Sequence, residues 1–452
     1  MQTAVETNEE QFAALIGVDW GNDEHAWTLA AADRGKRERG KLRQTPEAIE
    51  TWVAGLIQRF PGKRIAIGVE QKRGALIYAL SKYPQLLLFP IPPLMSSRYR
   101  AAIHTSGSKS DPVDADLLLD LVTRHRDKLS PLLPDSEAIR KLQLFVEHRR
   151  GLVDHRTACT NQIRSHLKMY FPQALDWFEE LDAPILAAFL ARWPTVPKAQ
   201  TASAGQLREF FHQQHSRSEN LIEKRVTEIG QATPLTTDPA VVEPLSMLVQ
   251  ALLQVVAALR LAITTHESAI EVAAPVNPDY AIFASFPGAG DNLAPRLLAA
   301  FGSRRDRWET AADIATFSGI APVMIASGKS RRVSFRWACP KFLRQTFHEY
   351  AACSIQQCDW AKAFYDKQRA KGNKHPAAVR SLAFKWIRIQ HACWKSNTPY
   401  CDTHYQNALA VRLPHPADPP SSPLPPPAQK SGAVKILFKT ENGFSKFSGL
   451  GD

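Results

Sequence analysis

Cysteine is scarce in this chain of 452 residues, and its six cysteines include no CxxC pair. Such sparse, unpaired cysteines do not indicate a disulfide framework, so we expect reduced thiols in a cytosolic protein. A zinc site could be formed from Cys393, Cys401 and His404. Their spacing is poor for zinc, and buried free cysteines are more common, so the sequence predicts no zinc site.

The sequence also lacks an apolar leader and a continuous membrane-spanning run. Its first residues, MQTAVETNEEQ, are polar and acidic, so we expect no secretory leader. The most apolar stretch, residues 245–263, is interrupted by Gln250, Gln254 and Arg260. This pattern favours a packed helix over a membrane span. We therefore predict a cytoplasmic protein that does not contact a membrane.

Acidic residues are outnumbered by basic ones. The chain has 56 Lys and Arg against 44 Asp and Glu, a formal net charge of +12 and a pI near 9.4. Residues 276–405 contain 19 Lys and Arg against 9 Asp and Glu, so they carry +10 of that charge. An excess of this kind favours a polyanionic partner, nucleic acid above all, although many basic proteins bind none.

The hydrophobic pattern at the N-terminal end predicts an α/β domain. Residues 14–33 have the pattern of two strands joined by a tight turn, and a third, more polar strand follows. Thr45 suits a helix N-cap and Pro46 the first helical position. The predicted order β-β-β-α-β-α-β is that of an RNase H-like (RuvC-like) mixed sheet. The elements after the first two strands are predicted at 36–44, 45–60, 64–70, 74–83 and 86–91.

The rest of the chain is predicted to be helical, with a change of composition at its end. The chain is predicted to be helical from about residue 115 to residue 275, and apolar residues at heptad positions in this part either pair two chains or bury one helix in a bundle. The heptad residues are Leu245, Leu248, Leu252, Val255, Leu259 and Ala262. Eight prolines between Pro414 and Pro427 predict a disordered tail. The predicted division is 12–130, 131–275 with a coiled-coil segment at about 240–271, a mostly helical C-terminal domain at 276–405, and the tail at 406–452.

Four acidic residues suggest a metal site. Asp19 and Glu70 each end a buried strand, and their carboxylates converge if the two strands are neighbours. Asp111 and Asp114 are three residues apart and share a helix face, whereas Asp116 is turned away and is predicted to be solvated. Four carboxylates from three segments can hold two Mg²⁺ or Mn²⁺ ions about 4 Å apart, an arrangement that clamps a phosphodiester.

Each of these residues also has a purely structural explanation. Asp19 suits a turn, and Glu70 can pair with the lysine or arginine that follows it. Asp111 suits a helix N-cap with Pro112 at N1, which would place Asp114 at N3, where it serves the helix dipole. Taken one at a time, these explanations are at least as good as the metal role. All four residues in this order favour the metal.

These motifs resemble those of the DEDD transposases of bacterial insertion sequences (the IS-one-ten family). The stretches IGVDWG, GVE and KSDPVDADLL resemble the family's acidic signature, which lies in a RuvC-like domain. Residues 286–302, FPGAGDNLAPRLLAAFG, resemble its PGxG helix–hairpin–helix segment, and residues 315–347 resemble its segment with the SG motif. The resemblance covers about residues 12–130 and 276–400.

The resemblance implies that Ser327 is the nucleophile and that Ser318 is a small packing residue. It also implies a covalent phosphoserine–DNA intermediate, a bridge RNA that pairs with donor and target DNA, and a tetramer with composite active sites. Gly328 allows close approach to a phosphate, and no local histidine offers itself as a base, so the carboxylate–metal site is the candidate activator. The basic residues predicted to contact nucleic acid are Lys329, Arg331, Arg332, Arg336, Lys341 and Arg344.

The sequence therefore predicts a transposase that cuts and religates DNA. Its partners would be DNA, a guide RNA and further copies of the chain, from a dimer to a tetramer, in the bacterial cytoplasm at the nucleoid. Two alternatives are open. One is a metal-dependent nuclease of the Holliday-junction type that forms no covalent intermediate. The other is a catalytically inactive nucleic-acid-binding derivative of a transposase.

Overall fold

The fold is taken from a computed structural model, which describes residues 12–32, 36–103, 110–328, 330–403 and 405–407. The side chain of Arg331 is outside this description. Three predictions from the sequence therefore lie wholly or largely outside the described residues. They concern Lys329, His404 and the proline-rich tail.

The N-terminal domain is built on a mixed five-stranded sheet of order β3-β2-β1-β4-β5. β1 is antiparallel to β2 and β2 to β3, whereas β4 is parallel to both β1 and β5. The predicted RNase H-like element order is confirmed. The strands are β1 (Ala14–Asp19), β2 (Glu24–Ala31), β3 (Arg37–Arg43), β4 (Ile65–Val69) and β5 (Leu86–Pro90).

Helices cover both faces of this sheet. α1 (Pro46–Arg59) begins where predicted, because Thr45 accepts a hydrogen bond from the amide of Ala48 and proline occupies the first turn. α1 and α2 (Ala75–Leu80) pack on one face, and α4 (Asp111–Arg124) packs on the other. α3 (Pro93–Ile103) lies beside α4. The central strands are therefore apolar on both faces.

Two glycines allow α4 to lie directly on the sheet. A Cβ atom on Gly17 of β1 would be 2.1 Å from the carbonyl oxygen of Ala115 and 2.3 Å from the amide nitrogen of Leu119. A Cβ atom on Gly68 of β4 would be 3.0 Å from the carbonyl oxygen of Leu118. Real Cβ atoms do not approach backbone atoms as closely as at Gly17, so this position requires glycine.

Two long helices, α5 (Glu137–Tyr170) and α11 (Pro239–Ala273), run antiparallel through the rest of the chain. Ile139 of α5 and Ile270 of α11 share one core, whereas Ile163 of α5 and Val249 of α11 share another. The second core is completed by five shorter helices. These are α6 (Ala174–Trp177), α7 (Pro184–Arg192), α8 (Val196–Gln200), α9 (Ala204–Gln213) and α10 (Glu219–Gln231).

Two of the six predicted heptad residues of α11 are exposed, and the other four are partly buried. Leu245 and Leu252 pack against the second core, but Leu248 and Val255 are 42% and 46% exposed. α11 is also long and apolar enough, by length and composition alone, to cross a membrane. That property is weak evidence for a span, because core helices share it, and α11 packs along α5. Both readings of the heptad, a chain-pairing seam and a bundle helix, stay open.

The C-terminal region is mostly helical and contains one small hairpin. α12 (Tyr280–Ala284) and α13 (Gly290–Phe301) are joined by the PGAG turn, in which Gly288 and Gly290 both have positive φ angles. Large aromatic side chains, including Phe283, Phe301 and Trp386, fill the core. The remaining elements are α14 (Ala311–Phe317), β6 (Val323–Ser327), β7 (Ser330–Ser334), α15 (Lys341–Gln357), α16 (Asp359–Ala370) and α17 (His375–Ser396).

The segment between the sheet domain and α5 contacts the C-terminal region through Asp135. Its carboxylate accepts hydrogen bonds from the amide of Ser303 at 2.9 Å and from Arg307 at 2.8 Å. The first core also includes the start of α5, which precedes the C-terminal region by more than a hundred residues. The domain boundaries drawn from the sequence remain predictions, because shared packing does not establish which segments fold independently.

Candidate active site

Asp19 and Glu70 lie side by side at one edge of the sheet. Asp19 is the last residue of β1, and Glu70 directly follows β4. β1 and β4 are parallel with Val18 opposite Val69, so the next residues in register are Asp19 and Glu70. The convergence expected from the sequence thus follows from the pairing of the two strands.

The first turn of α4 lies at the same edge. Two ion pairs connect α4 to β3, because Asp120 contacts Arg37 and Asp116 contacts Arg39. β3 has the same direction as β1, since both are antiparallel to β2. Arg39 therefore lies nearer than Arg37 to the carboxyl end of β1. Its partner Asp116 also lies nearer than Asp120 to the start of α4, so α4 begins at the carboxyl end of β1. Asp111 and Asp114 lie in its first turn.

Asp111 and Asp114 differ in their environment. Asp114 and Glu70 both have partners on α3. Asp114 is 4% exposed and forms an ion pair with Arg100 at 2.6 Å, whereas Asp111 is exposed. The carboxylate of Glu70 accepts a hydrogen bond from the buried hydroxyl of Ser96 at 2.5 Å. Ser96 and Arg100 are four residues apart on α3 and therefore share a face.

Several of the purely structural explanations differ from what the structure shows. The N-cap of α4 is Ser110, so Asp111 is the first helical residue, and the expected N-cap role of Asp111 was wrong by one position. Asp114 is correspondingly the fourth helical residue rather than the third. The cations that follow Glu70 have other partners, because Arg73 pairs with Glu147 at 2.5 Å and Lys72 lies over the ring of Phe317.

Asp116 is not the solvated residue that the sequence suggested. Both of its carboxylate oxygens accept hydrogen bonds from Arg39, at 3.1 and 2.8 Å. Partial burial raises the pKa of Asp116, but the hydrogen bonds and positive charge of Arg39 outweigh it, so the net pKa is lowered. Asp116 faces β3, which lies on the opposite side of β1 from β4 and Glu70.

The four carboxylates of the acidic edge are of the kind that binds a hard divalent cation. Among the described residues, however, their side chains are not close enough together to coordinate one. Four carboxylates from β1, β4 and α4 are the oxygen ligands that Mg²⁺ and Mn²⁺ prefer. Within the described ranges, no three His, Cys, Asp or Glu side chains lie close enough together to hold a metal ion. The ion pair of Asp114 with Arg100 occupies one of the four carboxylates.

Ser327 lies at the tip of the β6–β7 hairpin. It is the last residue of β6 and pairs with Ser330 across a two-residue turn. Gly328, the first residue of that turn, has φ of +55°, as tight hairpin turns require. Ser327 is exposed, and among the described side chains none is hydrogen-bonded to its hydroxyl. The loop expected from the sequence is therefore a defined hairpin turn.

Ser318, the other serine in an SG pair, is fully buried. Its hydroxyl is 3.4 Å from the carbonyl oxygen of Ala315, and Gly319 has a positive φ angle. A Cβ atom on Gly319 would be 2.4 Å from the sulfur of Cys339. This environment suits the packing role that the resemblance implied.

The basic residues of the hairpin and of the segment that follows it divide into exposed and packed ones. Arg332 and Lys341 are exposed, and Arg336 is half-buried. Arg344 lies over the ring of Phe335 at 4.8 Å and contacts the sulfur of Cys339, so it also has a structural role. Lys329 and the side chain of Arg331 are outside the described residues.

Sequence reasoning missed two side chains beside this hairpin. Trp337 is 80% exposed, and the guanidinium of Arg380 on α17 lies over the ring of Phe335, 4.5 Å from its centroid. The stretch FRW at 335–337 carried a usable signal, because aromatic residues interleaved with arginines are typical of surfaces that bind unpaired bases. Arg380 is distant in sequence, and only the packing of α17 brings it here.

Comparison with known proteins connects both regions to one family. A transposase model for the DEDD domain of IS110 elements matches residues 16–172. A second model, described as transposase IS116/IS110/IS902 family, matches residues 280–366. Together they match more than half of the chain, and they include the acidic edge and the serine hairpin.

Two proteins of insertion elements are similar to this chain over nearly their whole length. The mini-circle putative transposase for IS117 of Streptomyces coelicolor is 29% identical over 419 residues, which are 90% of this chain and 99% of that protein. The insertion element IS900 uncharacterized 42 kDa protein of Mycobacterium paratuberculosis is 23% identical over 85% of this chain and 96% of its own length. The chain belongs to the IS110 family of transposases, with a DEDD N-terminal domain and the family's C-terminal domain.

Proposed function

We propose that this transposase cuts and rejoins DNA with two sets of groups, a carboxylate edge and a serine. The carboxylates are Asp19, Glu70, Asp111 and Asp114, and the nucleophile is Ser327. The observation that carries the proposal is the placement of the four acidic residues at one sheet edge by three different elements. The matches of both family domains in their usual order support it further.

The acidic edge would hold Mg²⁺ or Mn²⁺. When bound there, the cation supplies charge neutralisation at the scissile phosphate and favours the deprotonated form of the attacking hydroxyl. The chain's own contribution is to fix the carboxylates. Asp19 and Glu70 are held by paired strands, and Asp114 is held by the packing of α4 on Gly17.

Ser327 would attack the scissile phosphorus. Its hydroxyl gives up its proton as the oxygen forms a bond to phosphorus, the bond from phosphorus to one deoxyribose oxygen breaks, and that oxygen takes up a proton. Attack by a DNA hydroxyl on the phosphoserine reverses these changes and joins the new strands, so the bond energy is conserved. The exposed position of Ser327 at a hairpin tip supports access to a DNA backbone.

A basic surface beside the hairpin would bind the nucleic acid. Its predicted residues are Lys329, Arg331, Arg332, Arg336, Lys341 and Arg344, whose charges can neutralise phosphates. We add Trp337, because its 80% exposed indole offers a ring for stacking on an unpaired base. The packing of Arg344 on Phe335 makes it the weakest of the six candidates for direct contact.

Guide RNA and further copies of the chain are also part of the proposal, and so is a location in the bacterial cytoplasm at the nucleoid. The charge of +10 in residues 276–405 is suited to more than one nucleic-acid strand. The exposed side chains of Leu248 and Val255 on α11 offer a surface on which a second copy can pair.

The decisive experiment is a covalent-trapping assay with the protein, its RNA and its DNA ends. We expect a protein–DNA adduct that survives denaturation and that Ser327→Ala abolishes. Ser330→Ala is the matched control, because Ser330 pairs with Ser327 across the same turn and should leave the adduct intact. An adduct that persists in Ser327→Ala would exclude this serine as the nucleophile.

The metal role has its own test. Asp111→Asn and Asp114→Asn each remove one negative ligand, and we expect both variants to lose strand exchange while they remain folded. Asp116→Asn is the control, because Asp116 is engaged by Arg39 and faces away from Glu70. Intact recombination in the first two variants would refute the metal site.

A junction nuclease is the second candidate, favoured by the absence, among described side chains, of a hydrogen-bond partner that would activate Ser327. Such an enzyme would release free 5′-phosphate or 3′-phosphate ends and trap no adduct. End-labelling of the products separates it from the serine mechanism. An inactive derivative, the remaining alternative, would give neither product; all four acidic residues and Ser327 are present in this chain.

A further inference from the structure

Helix α3 presents two polar side chains to the acidic edge. Ser96 donates a hydrogen bond to Glu70, and Arg100, one helical turn later, forms an ion pair with Asp114. Arg98 lies between them on the same helix but is exposed and faces away. α3 thus contacts two of the four proposed metal ligands through one face, although nothing in the acidic signature itself refers to it.

The positive charge of Arg100 stabilises the buried carboxylate of Asp114. The Asp114 side chain is only 5% exposed, and the Arg100 side chain is 23% exposed. A carboxylate buried to this degree is costly unless a positive charge lies beside it. A bound divalent cation would provide that charge, and in the structure described here Arg100 provides it. Arg100 and a bound cation would therefore compete for the carboxylate of Asp114.

We propose that Arg100 is a positioning residue that stands in for the cation at Asp114 and must withdraw for the cation to bind fully. This inference rests on the proposed metal role of the acidic edge. Arg100 holds the Asp114 side chain in place while the site is without metal. The same ion pair opposes cation binding, so Arg100 lowers the affinity for the metal, and the Arg100 side chain must leave Asp114 before the cation binds fully.

The expected consequence is a change in metal affinity that does not depend on DNA cleavage. A unit charge within a few ångströms of a cation site opposes binding strongly even when partly screened. We expect Arg100→Gln to bind Mn²⁺ at least about tenfold more tightly than the natural protein, a difference of about 1.4 kcal/mol. Arg98→Gln removes the same charge from an exposed position of the same helix, and it should leave the affinity unchanged.

The measurement is a Mn²⁺ titration of the full chain, followed by the electron paramagnetic resonance signal of the free ion. Arg100→Lys keeps a positive charge but loses the planar fork, so its affinity should lie between those of the natural protein and Arg100→Gln. Thermal unfolding gives an independent readout. Without metal, Arg100→Gln should unfold at a lower temperature, and Mn²⁺ should raise that temperature more than it does for the natural protein.

The outcomes separate this inference from the proposed function. If Mn²⁺ binds the natural protein, if Asp114→Asn weakens that binding, and if Arg100→Gln and Arg100→Lys leave it unchanged, the role of Arg100 is refuted while the metal site stands. If neither the natural protein nor any Arg100 variant binds Mn²⁺, the metal site itself fails, and the inference fails with it. Should Arg100→Gln not fold, tighter Mn²⁺ binding by Arg100→Lys than by Arg98→Lys supports the role of Arg100, and equal binding by the two variants refutes it.

Discussion

The acidic edge and the serine hairpin are positioned in opposite ways. The carboxylates at the edge stand on buried strands and on a helix whose backbone touches Gly17, and Asp114 is 4% exposed. The hairpin is exposed along both strands, with Met324 at 64% and Val333 at 67%. Core packing therefore holds the first region in place, whereas a two-residue turn holds the second.

This difference predicts that damage to the two regions will have different signatures. Variants of the acidic edge that disturb packing should lower stability and activity together. Variants of the hairpin should lower activity and leave stability intact, because few core contacts depend on the hairpin. The four predictions below test this separation, beginning with the largest expected effect.

The largest effect is expected for Gly17→Val. A Cβ atom at this position would be 2.1 Å from the carbonyl oxygen of Ala115, so α4 must move away from β1. We expect a loss of at least about 3 kcal/mol in the free energy of unfolding, the upper range for overpacking. Denaturant unfolding measures it. Gly55→Ala is the control, because nothing lies within 4 Å of a Cβ atom at Gly55, and it should not destabilise the protein.

The second prediction is that Gly328→Val abolishes the covalent adduct without lowering the unfolding temperature. Valine is strained at the φ of +55° that Gly328 adopts, so the turn that presents Ser327 should deform. Gly328→Asn is the matched variant, because asparagine tolerates this region of φ, and it should keep most of the adduct. Equal adduct yields from the valine and asparagine variants would contradict the role of the turn.

A smaller effect is expected for Trp337→Ala. Loss of one stacked base should weaken binding of nucleic acid with unpaired bases about tenfold, within the range measured for base–aromatic stacking. Trp337→Phe retains a ring and should bind nearly as well. Fluorescence anisotropy of a labelled oligonucleotide measures the affinity. Unchanged binding in the alanine variant would show that this exposed indole serves another purpose, such as contact with a second copy.

The smallest effect concerns Asp116, in the well-packed region but outside the proposed metal site. Its pKa is lowered in the folded state, so its stabilising contribution is present above the unfolded value of about 3.9 and is lost as the pH falls through the folded pKa. Asp116→Asn should therefore show a slightly shallower loss of stability on acidification from about pH 5. Arg39→Gln should give the same profile, and the double variant should add nothing, if the pair alone accounts for it.

Much of the sheet domain was predictable because its signals are local. Thr45 and Pro46 predicted the start of α1, and the apolar runs ending in Asp19 and Glu70 predicted β1 and β4. The start of α4 was misplaced by one residue because Ser110 and Asp111 are both suitable N-caps, and spacing alone does not choose between them. Asp116 was misjudged because its partner, Arg39, is 77 residues away in sequence.

The sequence by itself determined the composition of the acidic motif, the order of the strands and helices in the sheet domain, and the glycine at the serine turn. These depend on hydrophobic period, capping and turn chemistry, which act over a few residues. Only the tertiary structure decided that α3 places Ser96 and Arg100 against Glu70 and Asp114, and that Arg380 reaches Phe335. Such contacts depend on how distant elements pack, and no short pattern in the chain records them.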